Sequence, residues 1–163
     1  MRGHRAIAMD LPREDASAGP AEYARAAADA LLGQREVVLV GHSLGGITIP
    51  NIAALLPVTR LVYLGAFVPD AGRPWDESHL EGAISSPAFD AAIEERADGS
   101  AVLRQEAIAS LYPDAIRELA LRAWERCGGQ TWGITQKASL DFPATPAAYI
   151  ICSSLAAISS VYF

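Results

Sequence analysis

Gly41-His42-Ser43-Leu44-Gly45 is the stretch whose residue types and spacing best fit covalent chemistry. A serine hydroxyl is a weak nucleophile; it attacks an acyl carbon only when it stands clear of the fold and a base can take its proton. In G-x-S-x-G the serine sits on a tight, strained turn that lifts its hydroxyl above the sheet edge. Gly41 and Gly45 are expected to flank it because side chains there would collide where strand and helix pass close together. The backbone N–H of Leu44 then points to where an acyl oxyanion would form, aided by the positive end of the following helix.

Such a turn needs a strand before it and a helix after it. Val37-Val38-Leu39-Val40 supplies the strand, an apolar and β-branched run that suits burial on both faces. An apolar helix is expected from about Gly46 to Leu56, with Pro50 kinking it or removing one backbone bond. Upstream, Arg5 to Met9 reads as a short strand. Ala21 to Leu32 reads as an alanine-rich helix, with Pro20 suited to its first turn and Gly33 to its stop. Leu61 to Phe67 is another buried strand, and Ala147 to Cys152 returns to strand. Alternating apolar strands and helices imply an α/β fold with a parallel, doubly wound sheet.

Between Trp75 and Gln136 no strand is expected. The segments Ala88 to Ala97, Ala101 to Leu111 and Pro113 to Cys127 read as helices, the last with Ile116, Leu119, Ala120, Ala123 and Trp124 at helical spacing. A helical insertion there would lie over the C-terminal edge of the sheet, where ligands bind. The chain thus divides into a core (1–72 and 141–152), a helical cap (about 73–140) and a tail (153–163).

The 163 residues suffice for one domain with a core. A net charge of −6 argues against nucleic acid or an anionic membrane as partner. Cys127 and Cys152 are too few and too far apart to suggest a metal site or a disulfide framework, and no cofactor is expected. Met1-Arg2-Gly3-His4-Arg5 does not open a secretory leader, so a cytoplasmic chain is expected. From Ala147 to Phe163 there is no charge, but the stretch is shorter than the ~20 residues of a spanning helix, and a membrane anchor is not expected.

MDLP, VVLVGHSLGG, RLVYLGAFVP, SLYPDA and TPAAYIIC, in that order, resemble the α/β-hydrolase superfamily from about Gly3 to Cys152. The likeness is to small bacterial esterases related to plant methyl-ester esterases and hydroxynitrile lyases. That resemblance implies a nucleophilic serine, a histidine base, an acid, and a cap over an apolar pocket for a small ester or similar substrate. The serine would form an acyl-enzyme that water releases.

The family's pattern also has strands before Arg5–Met9, one followed by a loop with the second oxyanion donor, and nothing here matches them. The family's acid follows the strand that here ends at Cys152, where Ser153-Ser154-Leu155-Ala156 stand instead, and no residue matches its histidine. The expectation is therefore a partial α/β-hydrolase fold with an aberrant tail, by truncation, frameshift or gene degradation, and with impaired activity. The chain's own histidines are His4, His42 and His79. His42 adjoins Ser43 but should point elsewhere, and His4 opens a strand. His79, at the start of the cap, remains a candidate base. Asp70, after the Leu61–Phe67 strand, is a candidate acid, since some relatives keep theirs there, while Asp10 and Asp141 read as turn and loop residues. Trp75, Trp124 and Trp132 either line a pocket or pack the cap. Two other readings stay open: a non-catalytic fragment that binds a small ligand or self-associates through unpaired sheet edges, and a hydroxynitrile lyase-like member.

Overall fold

The structure is a computed structural model and describes residues 3–79, 91–107 and 115–151. In chain order its elements are α1 (Pro20–Ala30), β1 (Val38–Ser43), α2 (Gly45–Ala53), β2 (Arg60–Ala66), α3 (Trp75–His79), β3 (Ile93–Glu95), β4 (Ala101–Leu103), α4 (Arg117–Trp124), α5 (Gly133–Gln136) and β5 (Ala147–Ile150). A short 3₁₀ turn, Gln105–Ala107, follows β4.

The β-branched, apolar runs form the expected parallel sheet, in the order β1-β2-β5. On one face α1 and α2 close over it. Ala24 and Ala27 from α1 and Leu31 just past its end meet Ile49, Ile52 and Ala53 from α2 above Leu39, Leu61, Tyr63 and Ala66 of the strands. The start of α1 is fixed by its own sequence. The Gly19 amide donates to the Glu22 carboxylate at 3.0 Å, and that bond holds the Glu22 carboxyl below its usual range. Pro20 needs no donor at the first helical position. In α2 the helix runs on through Pro50 to Ala53.

The opposite face differs from expectation. Val38 and Val40 are 51% and 62% exposed, not buried. Strand register brings Val40, Val62 and Ala148 into one row and His42, Leu64 and Ile150 into the next. Among the described residues no helix packs there. A run of four apolar residues predicts burial but does not say which face has a neighbour. The Arg5–Met9 segment also departs from its reading, for among the described residues it joins no sheet. Ile7, Met9 and Leu11 pack against the core, so their alternation reports side-chain burial. A strand further needs a hydrogen-bonded neighbour, and the sheet places none beside them.

The region between Trp75 and Gln136 holds α3, α4 and α5 but also an antiparallel hairpin, β3–β4, where helix was expected on both sides of Asp98-Gly99. Turn chemistry overrides helix propensity here. Gly99 takes φ +81°. The Asp98 carboxylate accepts from the Ser100 amide at 2.9 Å and from the Ser100 hydroxyl at 2.7 Å, which lowers its pKa. An Asp-Gly pair is the strongest short hairpin signal, and it outweighs the flanking alanines and glutamates. In α4 only Ala120 of the expected apolar face is buried, and Ile116 and Leu119 are exposed. Residues 88–90 of the expected 88–97 helix, residues 108–111 of the 101–111 segment, Pro113, Cys152 and the 153–163 tail lie outside the described residues.

Candidate nucleophile site

Ser43 ends β1 with φ +51°, in the left-handed region that a non-glycine residue rarely adopts. Such a conformation costs about 1–3 kcal/mol and persists only where its surroundings over-determine it. The constraints can be named. Phe67 N–H donates to the Ser43 carbonyl at 3.0 Å. The β1–β2 register slips by one between His42 and Ser43, so that Ser43 faces Ala66 and Gly65, at φ +47°, is passed over. Leu44 turns at once into helical geometry, and α2 begins at Gly45.

The glycines act differently from expectation in one respect. A Cβ on Gly41 would lie 2.5 Å from the Gly45 carbonyl oxygen, so Gly41 does permit the close strand–helix approach. A Cβ on Gly45 would meet nothing within 4 Å. The second close approach belongs to Gly46, where a Cβ would fall 2.1 Å from the Phe67 carbonyl oxygen. In a pentad pattern the fifth position draws attention, but the first turn of α2 rotates Gly45 outward and Gly46 onto β2.

Ser43 and Leu44 are both half-buried. The Leu44 side chain packs on a second apolar cluster of Ala18, Tyr23, Ile47, Phe67, Trp75 and Ile134, which anchors the turn from below. Its amide stands at the start of α2, where helix N–H groups lack intrahelical acceptors and the helix dipole is positive. Trp75 is a core residue, tilted against Phe67 with ring centroids 4.8 Å apart. Trp124 donates to the Leu103 carbonyl, and Trp132 caps α5.

The other candidates do not converge on Ser43. His42 is exposed and lies with Val40 and Val38 on the open sheet face. Asp70 is exposed beyond the end of β2. His79 closes α3, and its side chain lies outside the described residues. His4, Asp10 and Asp141 are exposed. Among the described residues no hydrogen bond joins Ser43 to a histidine or a carboxylate, and no cluster of three His, Cys, Asp or Glu side chains is arranged to hold a metal. Among them, too, no helix is long and apolar enough to cross a membrane.

Asn51 was not singled out by pattern. It is fully buried, and its Nδ2 donates to the Ile47 carbonyl at 2.6 Å and to the Ser139 hydroxyl at 3.3 Å. Its Oδ1 accepts from the Leu140 amide at 2.6 Å. The side chain thus ties the helix behind Ser43 to the segment that leads into β5. Its one legible signal was a lone amide in an otherwise apolar helix.

The chain matches the model of the alpha/beta hydrolase family over residues 1–160. No curated protein matches it. Among solved structures it is similar to a pyrethroid hydrolase from Sphingobium faniae JZ-2, at 23% identity and TM-score 0.63, over 85% of this chain and 61% of that one. It is similar to a polyneuridine aldehyde esterase mutant at 17% identity and TM-score 0.70, over 90% of this chain and 68% of that one. A methylesterase from Arabidopsis matches at 19% identity and TM-score 0.63, over 88% of this chain and 61% of that one. The chain thus spans about three-fifths of the length of the hydrolase and the methylesterase. With a strand-turn-helix serine on a parallel sheet and a family match over nearly its whole length, the chain belongs to the alpha/beta hydrolase family.

Proposed function

We propose that the chain is built to cleave a small apolar carboxylic ester through an acyl-enzyme on Ser43. The strained Ser43 turn between β1 and α2 carries this reading. Neighbours named as a hydrolase, an esterase and a methylesterase support it at the level of family. Ser43 Oγ would attack the ester carbonyl carbon while a base takes the hydroxyl proton. The resulting oxyanion would accept a hydrogen bond from the Leu44 amide. Collapse of the intermediate breaks the bond to the alkoxide, which leaves with that proton. Water then attacks the acyl-serine, releasing the carboxylic acid and restoring the hydroxyl.

The reading includes impaired turnover in these 163 residues. Its ground is that no described histidine or carboxylate is bonded to Ser43, with Asp70 and His79 the candidates for those roles. A serine hydroxyl with no bonded base is a weak nucleophile that still acylates, but more slowly by several powers of ten. Turnover of p-nitrophenyl acetate is therefore expected to depend on Ser43 but to stay below about 1 s⁻¹, the low end of ordinary enzyme turnover. Faster turnover abolished by Ser43→Ala would contradict the impairment. Turnover unchanged by Ser43→Ala would contradict the nucleophile.

The exposed apolar rows of the sheet favour a second reading, self-association of two copies through the β1 edge and the open face. Sedimentation velocity is expected to give a size that grows with protein concentration. A monomer at every concentration would exclude it.

A further inference from the structure

The slip between β1 and β2 that shapes the Ser43 turn creates a difficulty on the other side of β2. Among the described residues the β2–β5 pairing runs from Leu61 with Ala147 to Leu64 with Ile150. Past Gly65, the Ala66 N–H and C=O lie outside the described pairs of that ladder. Both are bonded by one side-chain hydroxyl. Ala66 N–H donates to Tyr149 Oη at 3.0 Å, and Tyr149 Oη donates to the Ala66 carbonyl at 2.9 Å. The phenol does what the next residue of a longer strand would do. Its ring is held by stacking on Tyr63, with centroids 6.2 Å apart and planes 12° apart.

The next residue, Phe67, just past β2, faces the opposite way. Phe67 N–H donates to the Ser43 carbonyl, and the Phe67 carbonyl is the atom against which Gly46 packs. The Ala66–Phe67 backbone is thus the surface that sets both Ser43 and the start of α2, and Tyr149 fixes that surface from behind. We propose that Tyr149 is a positioning residue for the Ser43 nucleophile, acting through the Ala66–Phe67 backbone; this rests on the reading of Ser43 given above. The ring and the hydroxyl have separate duties. The ring packs, and the hydroxyl holds the turn in register. A Ser43 turn free to relax from its left-handed geometry would reach the same ligand but react with it more slowly.

Tyr149→Phe keeps the ring and deletes the hydroxyl. Two measurements on the full chain decide the matter. The first is amide hydrogen exchange by NMR. Phe67 is expected to exchange about tenfold faster or more in the variant. Leu61, whose amide donates to the Pro146 carbonyl at 2.9 Å, serves as the control for strand pairing and should keep its protection. The second is the kinetics of Ser43 labelling by a fluorophosphonate. Here the maximal labelling rate should fall about tenfold while the probe concentration for half-maximal rate stays unchanged. Unchanged exchange at Phe67 would overturn the proposal. So would equal loss of protection at Leu61, which marks a general role in the sheet, or faster Phe67 exchange with an unaltered labelling rate. No labelling in the parent chain would instead overturn the nucleophile reading, and the exchange rates would still decide whether the hydroxyl holds the turn.

Discussion

Replacing Gly46 by alanine is expected to destabilise the chain by about 3 kcal/mol, the upper end of what overpacking a core position costs. The added Cβ would sit 2.1 Å from the Phe67 carbonyl oxygen, 2.8 Å from the Ala66 Cβ and 3.0 Å from the Phe67 carbonyl carbon. Two of those atoms are backbone of Phe67, just past β2 and bonded through its amide to Ser43, so no rotamer change relieves the contact. The helix must move off β2 instead. That movement would stretch the Phe67–Ser43 bond and open the packing of Ile49 and Ile52 on the strands. Gly45→Ala is the contrast. Its Cβ meets open space, and the change should stay within about 0.5 kcal/mol of the parent. Urea unfolding of the two variants checks both figures. Equal midpoints would show that the helix can ride further from the sheet than the contact implies.

Asn51→Leu is expected to cost about 3 kcal/mol or more, because it removes three hydrogen bonds and leaves buried groups unpaired at roughly 1–3 kcal/mol each. Leucine has the same branching but more volume, so no cavity forms; the loss combines unpaired polar groups with overpacking at a fully buried site. The Leu140 amide loses its acceptor, and the buried Ser139 hydroxyl loses a donor. Against the 5–15 kcal/mol that holds an ordinary domain together, a loss of this size shifts thermal unfolding by several degrees. A calorimetric midpoint unchanged from the parent would mean that the link between α2 and the 139–140 segment is dispensable.

The Ser43 turn was legible because it is local. Strand, glycine, serine and helix follow one another within a dozen residues, and each has a propensity that agrees with the others. The β2 and β5 strands and the α1 helix were legible for the same reason. What was not legible depends on partners distant in sequence. Whether Val38 and Val40 are covered depends on what lies against that face, and whether Arg5–Met9 forms a ladder depends on a neighbouring strand. The roles of Asn51 and Tyr149 depend on partners 83 to 89 residues away. The β3–β4 hairpin is a different matter. Asp98-Gly99-Ser100 states the turn, and reading the alanines and glutamates around it as helix gave propensity more weight than turn chemistry.

The central claim is that Ser43 is the nucleophile. Its most direct test is the intact mass of the purified chain after treatment with a fluorophosphonate, with Ser43→Ala alongside. The probe transfers its phosphonyl group to a reactive serine oxygen and expels fluoride, so a single added mass counts reactive serines. One slowly formed adduct that is absent from Ser43→Ala is the expected result. A folded chain with no adduct, or an adduct that persists in Ser43→Ala, would contradict it.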